Sequence, residues 1–298
     1  MPDLTTSLRQ GLGLAITRRF EFRGKGRLVK LAGLDADDLV PADLKWVGCV
    51  EGIEFSAASP RDYMLRALFV DRTYQDDVLI ALRHLLRPGD TLWDVGANYG
   101  FMSLYVDKVF NGSVRTLAFE PSPVVLPYLQ ANLDRNHARS VQIESMCLSD
   151  SEGTVTFYFS EENSWNATLI PGFAEMHGES ERIDVDATTL DKAVARLPPP
   201  SVIKLDVEGA EHLVLAGGHE YLSTHRPPIV AEYNLKGIEE VGLTGREYLA
   251  LYEDLGYRAH LMPRRTFGRH RWKDLEPLAP SRALPPLCNL VMLSREPR

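Results

Sequence analysis

Four charged side chains, Lys204, Asp206, Glu208 and Glu211, stand close together in the segment SVIKLDVEGAEHL, residues 201–213. The apolar residues around the lysine predict a buried strand, and Asp206 stands at its end. Ligands of an open parallel sheet bind beyond the carboxyl ends of its strands. A carboxylate there can remove a proton from a hydroxyl group or stabilise a positive charge on a ligand. The segment therefore predicts a catalytic role for Asp206, with Lys204 and Glu208 as further catalytic candidates.

The pairing of Lys204 with Asp206 would have opposing effects on that carboxylate. The two residues are two positions apart in a strand, so their side chains point to the same face. A lysine in a buried strand needs a charged partner, and Asp206 can provide it. The pairing would lower the pKa of Asp206, whereas burial would raise it. A role as general base and a role as electrostatic partner of a bound cation therefore both stay open.

The segment EGAEHLVLAGG after Val207 predicts a helix that begins at Glu208. Acidic side chains in a first turn are favoured by the helix dipole without any function. We therefore assign Glu211 a structural role and leave both a structural and a catalytic role open for Glu208. His212 is expected to be a packed or capping histidine.

A glycine-rich turn in WDVGANYG, residues 93–100, predicts a second polar site. Asp94 ends a predicted strand, and Gly96, Asn98 and Gly100 follow at alternating positions before a predicted helix. A strand that turns sharply into a helix, with a ligand against its backbone, needs glycine. The spacing differs from the GxGxxG pattern that binds a pyrophosphate. It instead favours a ligand that carries a carboxylate and a cation.

Glu120 ends the next predicted strand, is followed by Pro121, and can accept hydrogen bonds from both hydroxyls of a ribose. Together with the glycine-rich turn, it fits S-adenosylmethionine, whose methionine portion would lie at the turn. Adenine is then expected at the end of the third strand, near Leu148 and Ser149, while Cys147 is expected to be an ordinary core residue. The alternative is a turn that only connects two elements, with its aspartate capping the helix.

Predicted strands and helices alternate from residue 91 to residue 257, which is typical of βαβ units in a mainly parallel sheet. Two further strands, GTVTFYFSEENSW and ERIDVDATTL, interrupt this alternation. The final pair, YRAHLMP and CNLVMLS, predicts two antiparallel strands that close the sheet. We therefore predict an α/β fold with inserted β-strands, unlike the plain dinucleotide-binding fold.

The charge and the cysteines limit the function classes. The chain has 298 residues and a net charge of −8, which argues against a general binder of nucleic acid or membrane surfaces, because both are anionic. Three scattered cysteines fit a reducing compartment. No segment has the roughly 20 consecutive apolar residues that span a bilayer, and no signal-peptide core precedes the fold. These features predict a soluble, cytoplasmic protein.

Three segments, PGDTLWDVGANYGF, LAFEPSPVVLPYLQANL and IKLDVEGAEHLVLAGG, resemble the FkbM-type methyltransferases. The resemblance implies a class I methyltransferase, Rossmann-like fold with a seven-stranded, mostly parallel sheet and an antiparallel last strand. It also implies methyl transfer from S-adenosylmethionine, chiefly to hydroxyl oxygens of natural products and sugars. Gln75, in TYQDD, departs from the Tyr-Glu pair usual in the family, so the resemblance assigns it no role.

We predict an N-terminal extension over residues 1–79, which is either a cap on the acceptor site or an oligomer contact, as in a homodimer. Residues 80–298 are predicted to form the S-adenosylmethionine-binding methyltransferase domain. In the inserted strands, Trp165 or Asn166 would either line the acceptor pocket or lie in a surface loop. The expected partner is a small-molecule hydroxyl acceptor, with no nucleic acid and no membrane.

Two weaker signals concern a metal and a basic loop. Glu232 ends another predicted strand and could face Asp206, and two such carboxylates can bind Mg²⁺ or Ca²⁺. Because the spacing shows no third ligand, no metal is predicted. The basic segment MPRRTFGRHRWK, residues 262–273, predicts a solvated loop, with recognition of an anionic acceptor as the alternative.

Two other functions share part of this pattern. A nicotinamide-dependent oxidoreductase would also use Glu120, but the chain lacks the pyrophosphate-binding glycine spacing. A catalytically silent S-adenosylmethionine-binding partner subunit would keep the same cleft, although intact Asp94 and Asp206 argue against it. Methylation of nucleic-acid amino groups fits poorly, because those enzymes usually have a proline-aromatic tetrad where this chain has DVEG.

Overall fold

The computed structural model describes residues 40–41, 43–159, 167–175, 181–262, 270–279 and 282–295. Its strands are β1 (Val47–Gly48), β2 (Glu54–Phe55), β3 (Thr91–Val95), β4 (Arg115–Phe119), β5 (Val141–Glu144), β6 (Cys147–Ser149), β7 (Gly153–Phe159), β8 (Glu181–Thr189), β9 (Val202–Leu205), β10 (Ile229–Asn234), β11 (Tyr257–Leu261), β12 (Glu276–Pro277) and β13 (Leu287–Ser294). Its α-helices are α1 (Tyr63–Asp71), α2 (Asp76–Leu85), α3 (Phe101–Val109), α4 (Leu126–Asn136), α5 (Pro171–Glu175), α6 (Leu190–Val194), α7 (Glu211–Gly217), α8 (His219–His225), α9 (Leu235–Glu240) and α10 (Gly245–Asp254).

Eight of the described strands form one sheet in the order β12-β11-β13-β10-β9-β3-β4-β5. The strands β10, β9, β3, β4 and β5 pair in parallel, and β13 is antiparallel to both of its neighbours. The predicted mostly parallel sheet with an antiparallel last strand is therefore confirmed. The two-residue strand β12 adds an eighth strand at the edge of the seven that were predicted.

Successive residues of the central strands pack on opposite faces of this sheet, as the alternation of side chains in a strand requires. Leu92 and Val202 belong to the apolar cluster of one face, whereas Trp93 and Ile203 belong to that of the other. Both faces are covered, which explains why these strands are almost continuously apolar.

Residues 47–86 cover the first of these faces together with α3 and α4. Asn132 of α4 fixes this segment, because its side chain accepts a hydrogen bond from the Ser56 N–H and donates one to the Ser56 carbonyl, both at 2.9 Å. Asn289 of β13 donates to the carboxylate of Asp77 at the start of α2. These contacts bring α1 and the turn before α2 to the carboxyl end of the sheet. The predicted role of residues 1–79 stays a prediction, and residues 1–39 lie outside the described residues.

The inserted strands form a separate three-stranded sheet in the order β6-β8-β7. The sequence favours one strand over residues 141–149, and this is wrong. The chain leaves the large sheet after Glu144, and β6 pairs with β8 instead. Cys147 is thereby buried in a small apolar cluster with Phe157 and Val185. This burial explains why the predicted strand over residues 141–149 is interrupted.

The helix after β9 begins at Glu211 and not at Glu208 as predicted. Glu208 and Gly209 both have positive φ, 53° and 94°, which a right-handed helix excludes. Residues 206–210 therefore form a turn of their own.

Within the described ranges, no helix combines the length and the apolar character that crossing a bilayer requires.

Candidate active site

A cleft lies beyond the carboxyl ends of β3, β4 and β9 and encloses about 920 Å³, including its opening to solvent. Ligands of open α/β sheets bind at this edge. Its lining combines charged, amide and apolar side chains from between residues 64 and 210: Met64, Tyr74, Gln75, Val95, Gly96, Ala97, Asn98, Phe101, Met102, Phe119, Glu120, Pro121, Cys147, Leu148, Phe157, Ala167, Leu169, Lys204, Asp206, Val207, Glu208 and Ala210.

The glycine-rich turn joins β3 to α3 through three residues with positive φ, namely Gly96, Asn98 and Gly100. A Cβ atom on Gly96 would lie 1.9 Å from the carbonyl oxygen of Asp206. Glycine is therefore required at this position by the neighbouring strand end as well as by the backbone angle. The turn and Asp206 form one rigid corner of the cleft.

Asp94 is fully buried at the base of this turn. Its Oδ2 accepts a hydrogen bond of 2.6 Å from the Ser103 hydroxyl, whereas its Oδ1 accepts none from the described residues. Lys204 Nζ lies 3.5 Å from that Oδ1. Asp94 thus holds the turn and the lysine in place from behind the cleft.

Glu120 presents its carboxylate to the cleft next to Pro121. Its Oε2 accepts a hydrogen bond from the Asn98 N–H at 2.9 Å and its Oε1 accepts one from the Ser122 N–H at 2.8 Å. Burial raises the pKa of Glu120 to about 7, although these two bonds oppose the shift. A carboxylate has about four acceptor positions, so capacity remains for the two hydroxyls of a ribose.

Lys204 contacts both the glycine-rich turn and Asp206. Its Nζ donates a hydrogen bond of 2.8 Å to the Gly96 carbonyl and lies 3.5 Å from both Asp94 Oδ1 and Asp206 Oδ2. Burial alone would lower the pKa of Lys204, but the charges of Asp206 and Asp94 outweigh it and raise that pKa. The predicted pairing of Lys204 with Asp206 is present, and the lysine has a second acidic partner in Asp94.

Three carboxylates, those of Asp206, Glu208 and Glu232, have oxygens within 4.8 Å of one another, and the first two line the cleft. Burial, followed by the charges of the other acids, raises the pKa of Glu208 and of Glu232 well above the usual range. The sequence hypothesis that Glu232 faces Asp206 agrees with this placement. Glu208 is the third carboxylate that spacing did not reveal, and the set has enough oxygens for a divalent cation.

The turn at residues 206–210 aims Glu208 into the cleft. Its backbone carbonyl accepts a hydrogen bond of 2.8 Å from the Thr168 hydroxyl. Gly209 packs directly on Gly237, where a Cβ atom would lie 3.1 Å from the Gly209 Cα. A glutamate held at positive φ is an uncommon conformation that accompanies functional sites. The backbone of this turn is therefore held by contacts from two distant segments, those of Thr168 and Gly237.

Tyr74 lines the cleft, and the sequence assigned it no role. Its ring makes edge contacts with Tyr63 and Phe101, with ring centroids 6.1 and 6.3 Å apart. Burial, and then the nearby charges of Asp206, Glu232 and Glu208, raise the pKa of Tyr74 well above its usual value. Gln75 lines the cleft beside it. The tyrosine in TYQDD could have been noticed in the sequence. Only the contacts between distant parts of the chain place its side chain at the cleft.

The remaining predicted residues fall into two groups. Leu148 lines the cleft, whereas Gly100 and Ser149 do not. Gly100 packs on Leu129, and the Ser149 carbonyl faces Gly217. Their assignment to the cofactor stays a prediction.

Glu211 and His212 both support the turn at residues 206–210. The Glu211 carboxylate accepts a hydrogen bond from the Val207 N–H at 3.0 Å, and burial raises the pKa of Glu211 to about 7. His212 Nδ1 donates to the Gly209 carbonyl at 3.2 Å. Trp165 and Asn166, and residues 263–269 of the basic segment, lie outside the described residues.

The residues of the cleft fit the predicted nucleoside. Glu120 has unused acceptor capacity for a ribose, and Asp94 has a buried oxygen without a hydrogen bond from the described residues. Asp94 does not line the cleft itself, so it acts through Lys204 and the glycine-rich turn. Apolar side chains at Leu148 and Phe157 offer a surface for a base.

The methyltransferase FkbM domain family matches residues 94–259. The 31-O-demethyl-FK506 methyltransferase FkbM of Streptomyces tacrolimicus is 30% identical over 195 residues, which cover 54% of this chain and 69% of that relative. The hexuronic acid methyltransferase AglP of Haloferax volcanii is 31% identical over 143 residues, covering 48% of this chain and 56% of that relative.

A solved structure of methyltransferase FkbM from Methylobacillus flagellatus aligns with 77% of this chain, with 17% identity and a TM-score of 0.46. The present chain covers 53% of that chain, so it spans about half the length of the solved relative.

Proposed function

Because this chain belongs to the FkbM methyltransferase family, we propose that it is an S-adenosylmethionine-dependent O-methyltransferase whose acceptor is a hydroxyl of a small molecule, either a natural product or a sugar. The names of the relatives, a demethyl-FK506 methyltransferase and a hexuronic acid methyltransferase, support this acceptor class. The observation that carries the proposal is that the strand-end acids Glu120 and Asp206 line one cleft, with Asp94 directly behind it.

S-adenosylmethionine supplies, when bound, a methyl group on a positively charged sulfur that an acceptor oxygen can displace in line. Glu120 would accept hydrogen bonds from the ribose hydroxyls, and the backbone from Gly96 to Asn98 would hold the methionine portion. Lys204, fixed by Asp94 and by the Gly96 carbonyl, keeps this turn against β9. These residues would bind and orient S-adenosylmethionine, and correct orientation is the main requirement of an in-line displacement.

Asp206 and Glu208 take different parts in this proposal. Lys204 Nζ lies 3.5 Å from Asp206 Oδ2, so the two side chains form an ion pair. Asp206 therefore suits the stabilisation of a positive charge. Glu208 lacks such a direct partner among the described residues, and burial raises its pKa. It suits the removal of the acceptor's proton, which would pass to a Glu208 oxygen as the acceptor oxygen displaces the sulfur from the methyl carbon and S-adenosylhomocysteine leaves.

The test is a methyl-transfer assay that measures S-adenosylhomocysteine formation over a panel of hydroxylated natural products and sugars. With an acceptor that turns over, we expect Glu208→Gln to lower kcat by about 100-fold or more, since general base catalysis contributes typically that much. Binding of S-adenosylhomocysteine should change by less than about threefold, because the glutamate contacts the acceptor and not this ligand.

Three outcomes would contradict this proposal. Wild-type rates in Glu208→Gln would remove that residue from proton transfer. Binding of S-adenosylhomocysteine without turnover on any acceptor would instead favour the silent partner subunit, and binding of NAD alone would favour the oxidoreductase.

A further inference from the structure

The segment before β3 contributes side chains to the cleft that have no part in binding S-adenosylmethionine as proposed above. Met64, Tyr74 and Gln75 line the cleft. Tyr63, the neighbour of Met64 in α1, is 55% exposed. More than half of the surface of this ring is therefore open to contact with another molecule.

Tyr63 is the first residue of α1, and the start of this helix is firmly held. The buried carboxylate of Asp62 caps it, because its Oδ1 accepts hydrogen bonds from the Met64 N–H at 2.9 Å and the Leu65 N–H at 3.3 Å. The ring of Tyr63 makes an edge contact with that of Tyr74. A side chain that is held in place before a ligand arrives loses less conformational entropy when it binds.

Tyr74 places this pair of rings beside the acids of the cleft. Burial, and then the charges of Asp206, Glu232 and Glu208, raise the pKa of Tyr74, so its hydroxyl lies within the electrostatic reach of all three. Asp206 and Glu208 line the same cleft. A molecule whose hydroxyl reaches Glu208 would therefore have its neighbouring atoms beside Tyr74, with Tyr63 next to it and exposed to solvent.

The same acids limit the charge that an acceptor can carry. Asp206, Glu208 and Glu232 have oxygens within 4.8 Å of one another. Lys204, the one basic side chain among the described residues of the cleft lining, already forms ion pairs with Asp94 and Asp206. Glu208 must be ionised to accept a proton, so a carboxylate or phosphate on the acceptor would meet like charges. Such contacts weaken binding and reject the wrong ligand.

We propose that the acceptor is a ring-bearing alcohol without a negative charge and that Tyr63 contacts its ring. This inference rests on the proposed function and deepens it, because it gives the acceptor a charge class and the cleft a specificity-determining residue. A tyrosine suits such a contact, since its ring offers an apolar surface while its hydroxyl stays in water. The inference opposes the anionic acceptor that the basic segment at residues 262–273 left open.

The charge of the acceptor is tested with pairs of ring alcohols that differ only by a carboxylate, such as a methyl hexoside and the matching methyl hexuronoside. The assay measures S-adenosylhomocysteine formation by the wild-type protein. We expect kcat/KM for the uncharged member of a pair to exceed that for the charged member by about tenfold or more, because only the charged member meets the acids.

Tyr63→Ala tests the contact residue with an uncharged acceptor that turns over. Its KM should rise about tenfold through loss of the ring contact, whereas kcat should stay within about twofold of wild type, because Tyr63 takes no part in proton transfer. Tyr63→Phe should keep the wild-type KM, since it keeps the ring. Both variants should bind S-adenosylhomocysteine with wild-type affinity, which shows that they are folded.

Trp46→Ala is the matched control, because it removes another exposed ring from the segment before β3. The guanidinium carbon of Arg135 lies 5.6 Å from the centroid of the Trp46 ring. Arg135 stands near the end of α4, which runs from the carboxyl end of β4 back toward the start of β5, so Trp46 lies at the edge of the sheet opposite to the cleft. The KM of this variant should equal that of the wild type.

An unchanged KM in Tyr63→Ala, or a charged acceptor that is used as well as its uncharged counterpart, would overturn the inference and leave the proposed function intact. Binding of S-adenosylhomocysteine without turnover of any acceptor pair would instead contradict the proposed function.

Discussion

At the scale of single residues, the cleft brings together more carboxylates than it has cations to neutralise them. Lys204 is the one basic side chain among the described residues that line it, and it serves Asp94 and Asp206 together. Glu120, Glu208 and Glu232 form no ion pair of this kind with the residues that the structure describes, and the pKa of each is raised. Burial and neighbouring negative charges favour the protonated form of such carboxyl groups.

The raised pKa of Glu120 predicts a pH dependence of nucleoside binding. Burial raises this pKa to about 7, so the carboxyl is mainly protonated at pH 6 and mainly ionised at pH 8. The ionised carboxylate can accept hydrogen bonds from the ribose hydroxyls at all of its free acceptor positions. S-adenosylhomocysteine should therefore bind about tenfold more tightly at pH 8 than at pH 6, with release of about half a proton at pH 7.

Calorimetry in two buffers of different ionisation enthalpy measures both quantities. Glu120→Gln is the control, because it should bind more weakly and lose most of the pH dependence. An affinity that is equal at both pH values, or lower at pH 8, would contradict the role given to this carboxylate.

At the scale of elements, the positions of the strand ends were predictable from the sequence, whereas the conformation of the turn at residues 206–210 was not. Asp94, Glu120 and Asp206 stand at the ends of apolar segments whose length and period identify strands. The turn that aims Glu208 depends on Gly237 and Thr168, which come from distant parts of the chain. No local pattern encodes such contacts, so a helix beginning at Glu208 was the natural but wrong prediction.

The close approach of the glycine-rich turn to β9 predicts a stability difference between two glycine substitutions. Gly96 and Gly242 have nearly equal φ, 77° and 78°, but only Gly96 faces a backbone atom, at 1.9 Å from an added Cβ. Gly242→Ala should lower the free energy of unfolding by about 1 kcal/mol through the backbone angle alone. Gly96→Ala should lower it by about 3 kcal/mol or more, because a backbone carbonyl cannot move aside.

Urea unfolding of the two variants measures this difference. Gly96→Ala should also lose nucleoside affinity, whereas Gly242→Ala should keep it. Equal losses of stability would show that the contact between the two strand ends contributes nothing.

At the scale of the whole molecule, the sequence predicted the large sheet but not what encloses the cleft. The alternation of strands and helices and the final antiparallel pair followed from local periodicity. The placement of Tyr74 and Met64 at the cleft depends on Asn132 and Asn289, which fix the segment before β3 to the rest of the fold. Side chains that pair across more than 70 positions cannot be matched from one sequence.

The central claim is that the acids at the strand ends form one nucleoside site, and calorimetric titration with S-adenosylhomocysteine tests it most directly. We expect saturable binding at one site per chain by the wild-type protein, and an affinity reduced by about tenfold or more in Glu120→Gln, as loss of a charged hydrogen-bond acceptor implies. No binding heat with the folded wild-type protein, or an unchanged affinity in that variant, would contradict it.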